Sequence, residues 1–136
     1  MGIRRKAREA ALQILYQIDA SGASCEDAVR TYWTHLAATP DAEEFATELV
    51  RGVDGHMERI DDTIRNVSHH WRLERMTRVD RNIIRLATFE LLEMAEIPRR
   101  VTLNEAIELA KRFGAEGSAK FVNGVLDRIA SDAGKV

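Results

Sequence analysis

The 136-residue chain has one cysteine, two prolines and eight glycines. A single cysteine, Cys25, excludes an internal disulfide framework and a zinc site built on several cysteines. So few proline and glycine residues argue against an all-β sandwich, whose many short strands require many turn residues. No apolar run approaches the ~20 residues of a membrane span. The basic N-terminus is not followed by the apolar segment of a signal peptide, so we expect a cytoplasmic protein.

Sequence motifs of common enzymes and metal sites are also missing. The chain has neither a G-x-x-x-x-G-K-[ST] phosphate loop nor a G-x-S-x-G nucleophile motif. It has four histidines, but His69 and His70 are adjacent and cannot face one ligand site together on a helix. We therefore expect no catalysis, no metal and no cofactor.

Apolar residues recur at helical spacing nearly everywhere, and no segment alternates as a strand does, which predicts an all-α fold. The first helix covers about residues 4–20 and ends at Gly22. Ser24 with Asp27 predicts a cap for the second helix. Thr39 followed by proline predicts the start of a third. We expect that third helix to continue through two glycines to about residue 64, and those glycines to permit close packing of another helix.

The segment over residues 79–95 is apolar on nearly all sides, so we expect it at the centre of the fold. Thr102 with Glu105 predicts a capping box for the next helix, and Ser118 predicts a cap for the last. Glu90 lies in the apolar arc of the central helix. It is either a general acid or a structural carboxylate paired with an arginine, and we favour the pair because no second catalytic group accompanies it. The predicted core residues are Leu86, Phe89, Leu91, Ile107 and Val125.

Positive charge is concentrated at the start of the chain. The first eight residues hold four bases and no acid, whereas the whole chain has a net charge of −2. Arg5 and Arg8 share a helical stripe with Tyr16, and Lys120 precedes Phe121 after a glycine-containing turn. Guanidinium groups contact phosphates and aromatic rings stack on exposed bases, so this pattern favours nucleic-acid binding. A merely solvated helix start, a core role for Phe121, and a core or partner role for Tyr16 remain alternatives.

Several segments resemble the bacterial transcription antitermination factor NusB family. Residues 4–16, RRKAREAALQILY, resemble its arginine-rich opening helix. Residues 104–111, NEAIELAK, the pair Phe113 and Gly114, and residues 120–127, KFVNGVLD, resemble its C-terminal signature. Residues 85–91 and the pair Ile97 and Pro98 also fit. Residues 21–70 match only in helical pattern.

The resemblance implies two small antiparallel helical bundles, about residues 1–66 and 72–136, packed into one domain of residues 1–136. It implies no catalysis. It implies binding of single-stranded box A RNA in ribosomal RNA leader transcripts together with NusE, a small-subunit ribosomal protein, within an RNA polymerase antitermination complex. Tyr16 and Asp80 match positions at or near the NusE contact. The residues implied to bind RNA are Arg4, Arg5, Lys6, Arg8, Phe113, Gly117, Ser118, Lys120 and Phe121.

Two details and two alternatives accompany this interpretation. Gly117 replaces an acidic residue found in some family members, which removes repulsion of a phosphate. Arg4, Arg5 and Arg8 lie within an arc of ~100°, so we expect three direct contacts with RNA from them, with Lys6 acting at longer range.

One alternative function is that of an accessory helical domain of a ribosomal RNA methyltransferase. The other is a self-associating adaptor without RNA binding, since a homodimer is possible in this family.

Overall fold

The computed structural model describes residues 2–36 and 39–136. Within these residues the backbone forms seven α-helices, one short 3₁₀ helix and no strand, which confirms the all-α prediction. None of the described helices is both long and apolar enough to cross a membrane. The helices are α1 (Ile3–Ser21), α2 (Cys25–His35), α3 (Pro40–Gly55), α4 (Met57–Val67), α5 (Arg78–Glu93), α6 (Arg99–Phe113) and α7 (Ser118–Asp132), with the 3₁₀ helix at Leu73–Arg75.

Helix α1 begins and ends, and helices α2 and α3 begin, close to where the sequence predicts. Gly22 ends α1 in the left-handed conformation, with φ +74°, which glycine adopts without steric cost. The hydroxyl of Ser24 accepts a hydrogen bond from the Asp27 N–H at 3.2 Å and caps α2. The hydroxyl of Thr39 accepts one from the Ala42 N–H at 3.3 Å and caps α3. These caps satisfy amides that have no partner inside the helix.

The prediction of one long third helix is wrong, because the chain turns at His56. The His56 N–H donates to the carbonyls of Gly52 and Val53, at 3.1 and 3.2 Å, and a separate helix, α4, starts at Met57. The expected close packing at a glycine is found at Gly52. A Cβ atom there would lie 2.1 Å from Cζ of Phe89, so α5 can approach α3 only because Gly52 has no side chain.

Two further cap predictions are also wrong. Helix α6 begins at Arg99, directly after Pro98, so Thr102 lies inside the helix and its hydroxyl donates to Glu90 Oε1 at 3.1 Å. Gly117, not Ser118, occupies the cap position of α7, with φ +88°. The Ser118 hydroxyl instead accepts a hydrogen bond from the Ala115 N–H at 2.9 Å and closes the turn between α6 and α7.

Helix α5 lies at the centre and packs against α1, α3, α4, α6 and α7. Of the predicted core residues, Leu86, Phe89, Leu91 and Val125 are buried, whereas Ile107 is only half-buried at the edge of α6. The thiol of Cys25 is buried at the start of α2, and burial raises its pKa. We propose that the two groups of helices form one domain, because α1 packs against both α3 and α5 and the buried apolar residues form a continuous cluster.

Candidate nucleic-acid interface

The basic residues of α1 lie on a helix whose opposite face fills the core. Ala7, Ala10 and Ala11 are buried, which brings α1 close to α3 and α5. Arg4, Arg5 and Lys6 are exposed one turn earlier, at the N-terminal end of the helix. The guanidinium carbon of Arg4 lies 4.7 Å from the centroid of the Phe45 ring, a cation–π contact that holds this side chain against α3.

The side chain of Arg8 is buried and paired with a carboxylate. Its Nε and Nη2 donate to the two carboxylate oxygens of Glu90, each at 2.9 Å, and the side chains are only 4% and 2% exposed. The Thr102 hydroxyl donates to the same carboxylate. The prediction that Glu90 is a structural carboxylate paired with an arginine is confirmed. A direct contact of Arg8 with RNA does not fit this geometry, because its guanidinium is enclosed and already paired.

Arg5 is held at the surface by a carboxylate of α6. Its Nε and Nη2 donate to Glu105 Oε1 and Oε2 at 3.1 and 2.7 Å, while the Arg5 side chain stays 45% exposed. The hydrogen bond and the positive charge of Arg5 lower the pKa of Glu105 below its ordinary value and outweigh the opposing effect of burial. The same hydrogen bond raises the pKa of Arg5. A phosphate must therefore share Arg5 with Glu105 or displace it.

Lys6 has no ion pair within 4.0 Å among the residues that the structure describes. Arg4 likewise has no ion pair within that distance in residues 2–36 and 39–136, so Arg4 and Lys6 are the cations of the helix start without a carboxylate partner there. This differs from the sequence expectation of three direct contacts from Arg4, Arg5 and Arg8, because helical direction alone does not show which cation already has a partner.

The second predicted region is the turn between α6 and α7. Gly117 and Lys120 are exposed, Phe113 and Phe121 are half-buried, and Ser118 is buried. Helix α6 connects this turn to α1. Besides the contact of Glu105 with Arg5, Arg112 Nη1 donates to Glu9 at 2.7 Å, directly before Phe113. Helix α6 therefore lies beside α1, with Glu105 next to Arg5 at the basic start of α1 and Arg112, at the end of α6, next to Glu9.

A residue that sequence reasoning missed lies against this turn. Trp71 follows α4 and is 52% exposed, and its ring centroid lies 6.3 Å from that of Phe121 in an edge-to-face arrangement. The signal in the sequence that could have indicated this residue is a tryptophan in the otherwise polar connection after α4. The contact between Trp71 and Phe121 could not be read from the sequence, because the two residues lie far apart along the chain.

The two predicted partner residues lie near each other but differ in exposure. Tyr16 is exposed on α1, and the Arg78 guanidinium carbon lies 5.9 Å from its ring centroid. Asp80, two residues after Arg78, is buried in the first turn of α5. Its Oδ1 has no hydrogen-bond partner among the described residues.

Comparison with known proteins identifies the family. A sequence profile of the NusB family matches residues 5–131. The chain is 50% identical over 136 residues to the transcription antitermination protein NusB of Sorangium cellulosum strain So ce56, covering all of this chain and 97% of that protein. The chain belongs to the NusB family. The NusB profile includes Arg5, Lys6 and the whole turn between α6 and α7, so both predicted regions except Arg4 lie in the family match.

Solved NusB structures have the same fold. NusB of T. maritima matches with a TM-score of 0.86 at 42% identity, over 95% of this chain and 91% of that one. A chain in the crystal structure of the antitermination factors NusB and NusE in complex with dsRNA matches with a TM-score of 0.86 at 30% identity, over 97% of this chain and 98% of that one. The agreement over nearly the full length extends the similarity from the end segments to the whole fold.

Proposed function

We propose that this chain is a transcription antitermination factor that binds box A RNA of ribosomal RNA leader transcripts together with NusE and supports processive transcription by RNA polymerase. The observation that carries the proposal is the 50% identity to an antitermination protein over the whole chain. The solved complex of a similar NusB chain with NusE and dsRNA supports RNA and NusE as partners. The proposed activity is binding, without catalysis and without a cofactor, in the cytoplasm.

The proposed RNA surface combines the start of α1 with the turn between α6 and α7. Arg4, Arg5 and Lys6 supply positive charge that contacts phosphates. Gly117 lets the RNA backbone approach without a side chain between, and exposed Lys120 continues the positive charge. Phe113 and Phe121 add half-buried aromatic rings on the two sides of this turn. Arg8 and Ser118 act as positioning residues, because one fixes α1 on α5 and the other closes the turn.

The proposed NusE surface is centred on Tyr16 and Asp80. The exposed ring of Tyr16 supplies contact area. Asp80, buried in the first turn of the neighbouring helix α5, has a carboxylate oxygen without a hydrogen-bond partner among the described residues and adds negative charge beneath this surface. Charge complementarity with a basic ribosomal protein raises the association rate and the specificity more than the affinity.

The test is titration of a box A oligoribonucleotide and an unrelated one, with and without NusE, followed by fluorescence anisotropy. We expect box A to bind more tightly than the unrelated RNA and NusE to strengthen binding. Lys6→Ala and Arg4→Ala should each lower the affinity for both RNAs. Each should also flatten the slope of log affinity against log salt by about 0.7, because one phosphate contact to a single strand is lost.

A matched control is Arg30→Ala, which removes one exposed arginine from α2. It should leave affinity and slope unchanged. If the parent chain binds no RNA at micromolar concentration with NusE present, the proposal fails. If it elutes only as a dimer that binds no RNA, the self-associating adaptor replaces it.

A further inference from the structure

The contact between Trp71 and Phe121 places a large aromatic surface beside the proposed RNA site. The backbone N–H of Trp71 donates to the backbone carbonyl of Ser68 at 3.1 Å, and the turn that this bond closes places the indole ring against α7. Trp71 is 52% exposed, although burial of a tryptophan side chain is strongly favourable. Tryptophan is enriched at interfaces, so an exposed indole held by a turn and a second ring favours a contact site.

Phe121 also lines a groove of about 470 Å³ on α7, which we call the aromatic groove. It is bounded by Val67, Gly117, Lys120, Phe121, Gly124, Val125 and Arg128. Two of these residues are cations and none is an acid. Neither Lys120 nor Arg128 has an ion pair within 4.0 Å in the described part of the chain. By contrast, the lining of a groove along α3 includes Glu43, Glu44 and Glu48 against one cation, Arg51, which already pairs with Glu26, so its net negative charge would repel a phosphate.

Gly124 is an independent indication that this groove is kept open. It lies in the middle of α7, where glycine costs about 1 kcal/mol relative to alanine. A Cβ atom there would meet nothing within 4 Å, so neither packing nor backbone conformation requires glycine at this position. The absence of a side chain widens the aromatic groove instead.

We propose that the aromatic groove, with Trp71, binds an unstacked nucleobase of single-stranded RNA while Lys120 and Arg128 contact the flanking phosphates. This inference rests on the proposed function and names the chemistry of its second region. Aromatic rings stack on any base, whereas the two cations track the backbone. Trp71 and the groove thus serve as a stacking site that extends the phosphate-binding start of α1.

Tryptophan fluorescence tests this with Trp71 in place. The chain has two tryptophans, and Trp33→Phe leaves Trp71 as the sole indole. Trp33 lies on α2, where its ring packs against Tyr32, and its buried Nε1 has no hydrogen-bond partner in the described residues, so its replacement removes no bond. Single-stranded box A RNA should quench Trp71 in proportion to the fraction bound. An oligonucleotide of the same length with abasic sugars should bind more weakly and leave the fluorescence unchanged.

Variants then separate stacking from charge. Trp71→Ala should weaken box A binding by about tenfold with an unchanged salt slope, and Trp71→Phe should restore most of the affinity. Lys120→Gln should instead flatten the slope by about 0.7. Gly124→Leu fills the groove and should weaken binding strongly, whereas Gly124→Ala narrows it by one methyl group and should weaken binding only slightly while raising thermal stability.

The measurements run with and without NusE, and a chain lacking both tryptophans corrects for fluorescence of the partner. Box A binding with parent affinity but without quenching of Trp71 would overturn the stacking site and leave the proposed function intact. Equal affinity of Gly124→Leu and Gly124→Ala would overturn it as well. Absence of RNA binding in the parent chain would instead refute the proposed function, so the two failures are distinguishable.

Discussion

Neighbouring arginines of α1 have different tasks because their partners differ. Arg8 meets a carboxylate in the core, and Arg5, one turn away, meets one at the surface. Sequence spacing places both on one stripe, and it also predicts that Glu90 needs a cation. It does not show that Arg8 is that cation, since the pairing joins residues 82 positions apart.

At this scale, the first prediction concerns Glu105, which competes with RNA for Arg5. Glu105→Gln removes the negative charge but keeps the side-chain size. We expect affinity for box A RNA to rise about two- to fivefold, the size of an exposed ion pair. Glu108→Gln is the control, because it removes an equal charge from α6 without a hydrogen bond to Arg5. Salt-dependent anisotropy measures both, and equal effects of the two variants would contradict the prediction.

A second prediction concerns the buried pair. Arg8→Ala leaves the Glu90 carboxylate buried without its cation and should lower the free energy of unfolding by about 3–5 kcal/mol. Urea unfolding followed by circular dichroism measures this. In the double variant Arg8→Ala and Glu90→Gln the loss should be smaller, because no unpaired charge remains in the core. Strictly additive losses would show that the two side chains do not interact.

Helices are the scale at which the sequence was most informative. Capping residues and apolar spacing predicted α1, α2, the start of α3 and the central helix α5. The turn at His56 was missed because helical periodicity continues through it. The His56 ring lies 5.7 Å from the Phe89 ring of α5, a contact between residues far apart in the sequence that spacing does not show. Thr102 was misread as a cap because its hydroxyl serves Glu90, a partner on another helix.

The contact between α3 and α5 supplies the third prediction. Gly52→Ala places a methyl group where the Phe89 ring lies, so we expect a loss of about 1–3 kcal/mol in unfolding free energy. Gly55→Ala is the matched control on the same helix. A Cβ at Gly55 would meet nothing within 4 Å, so it should be neutral or stabilise by up to about 1 kcal/mol. Thermal melts of the two variants should therefore shift in different directions. A Gly52→Ala protein as stable as the parent would show that the two helices separate easily.

Over the whole molecule, carboxylates that join distant elements make stability depend on pH. Burial raises the pKa of Asp19, but hydrogen bonds from Arg81 and Asn82 and the nearby arginine charges outweigh this and lower it. The pKa of Glu105 is lowered as well. Both groups bind protons more readily when the chain is unfolded, so their contribution is complete above their ordinary values of 3.8 and 4.5 and is lost as the pH falls through the lower folded values.

The fourth prediction follows from these carboxylates. Thermal stability should be nearly constant from neutral pH to about pH 5 and should then fall as the solution becomes more acidic. Asp19→Asn should be less stable than the parent at neutral pH and should show a weaker dependence on acid. Scanning calorimetry across this range measures both effects. An Asp19→Asn profile parallel to that of the parent would show that Asp19 is not responsible.

The burial of Cys25 has a practical consequence for labelling chemistry. Maleimide and iodoacetamide reagents react with thiolates, and a buried thiol with a raised pKa forms few of them. A cysteine introduced at an exposed position such as Asp132 would react much faster than Cys25. A single fluorophore or spin label can therefore be attached to the end of α7 without replacing the native cysteine, and the distance from that label to a labelled RNA strand becomes measurable.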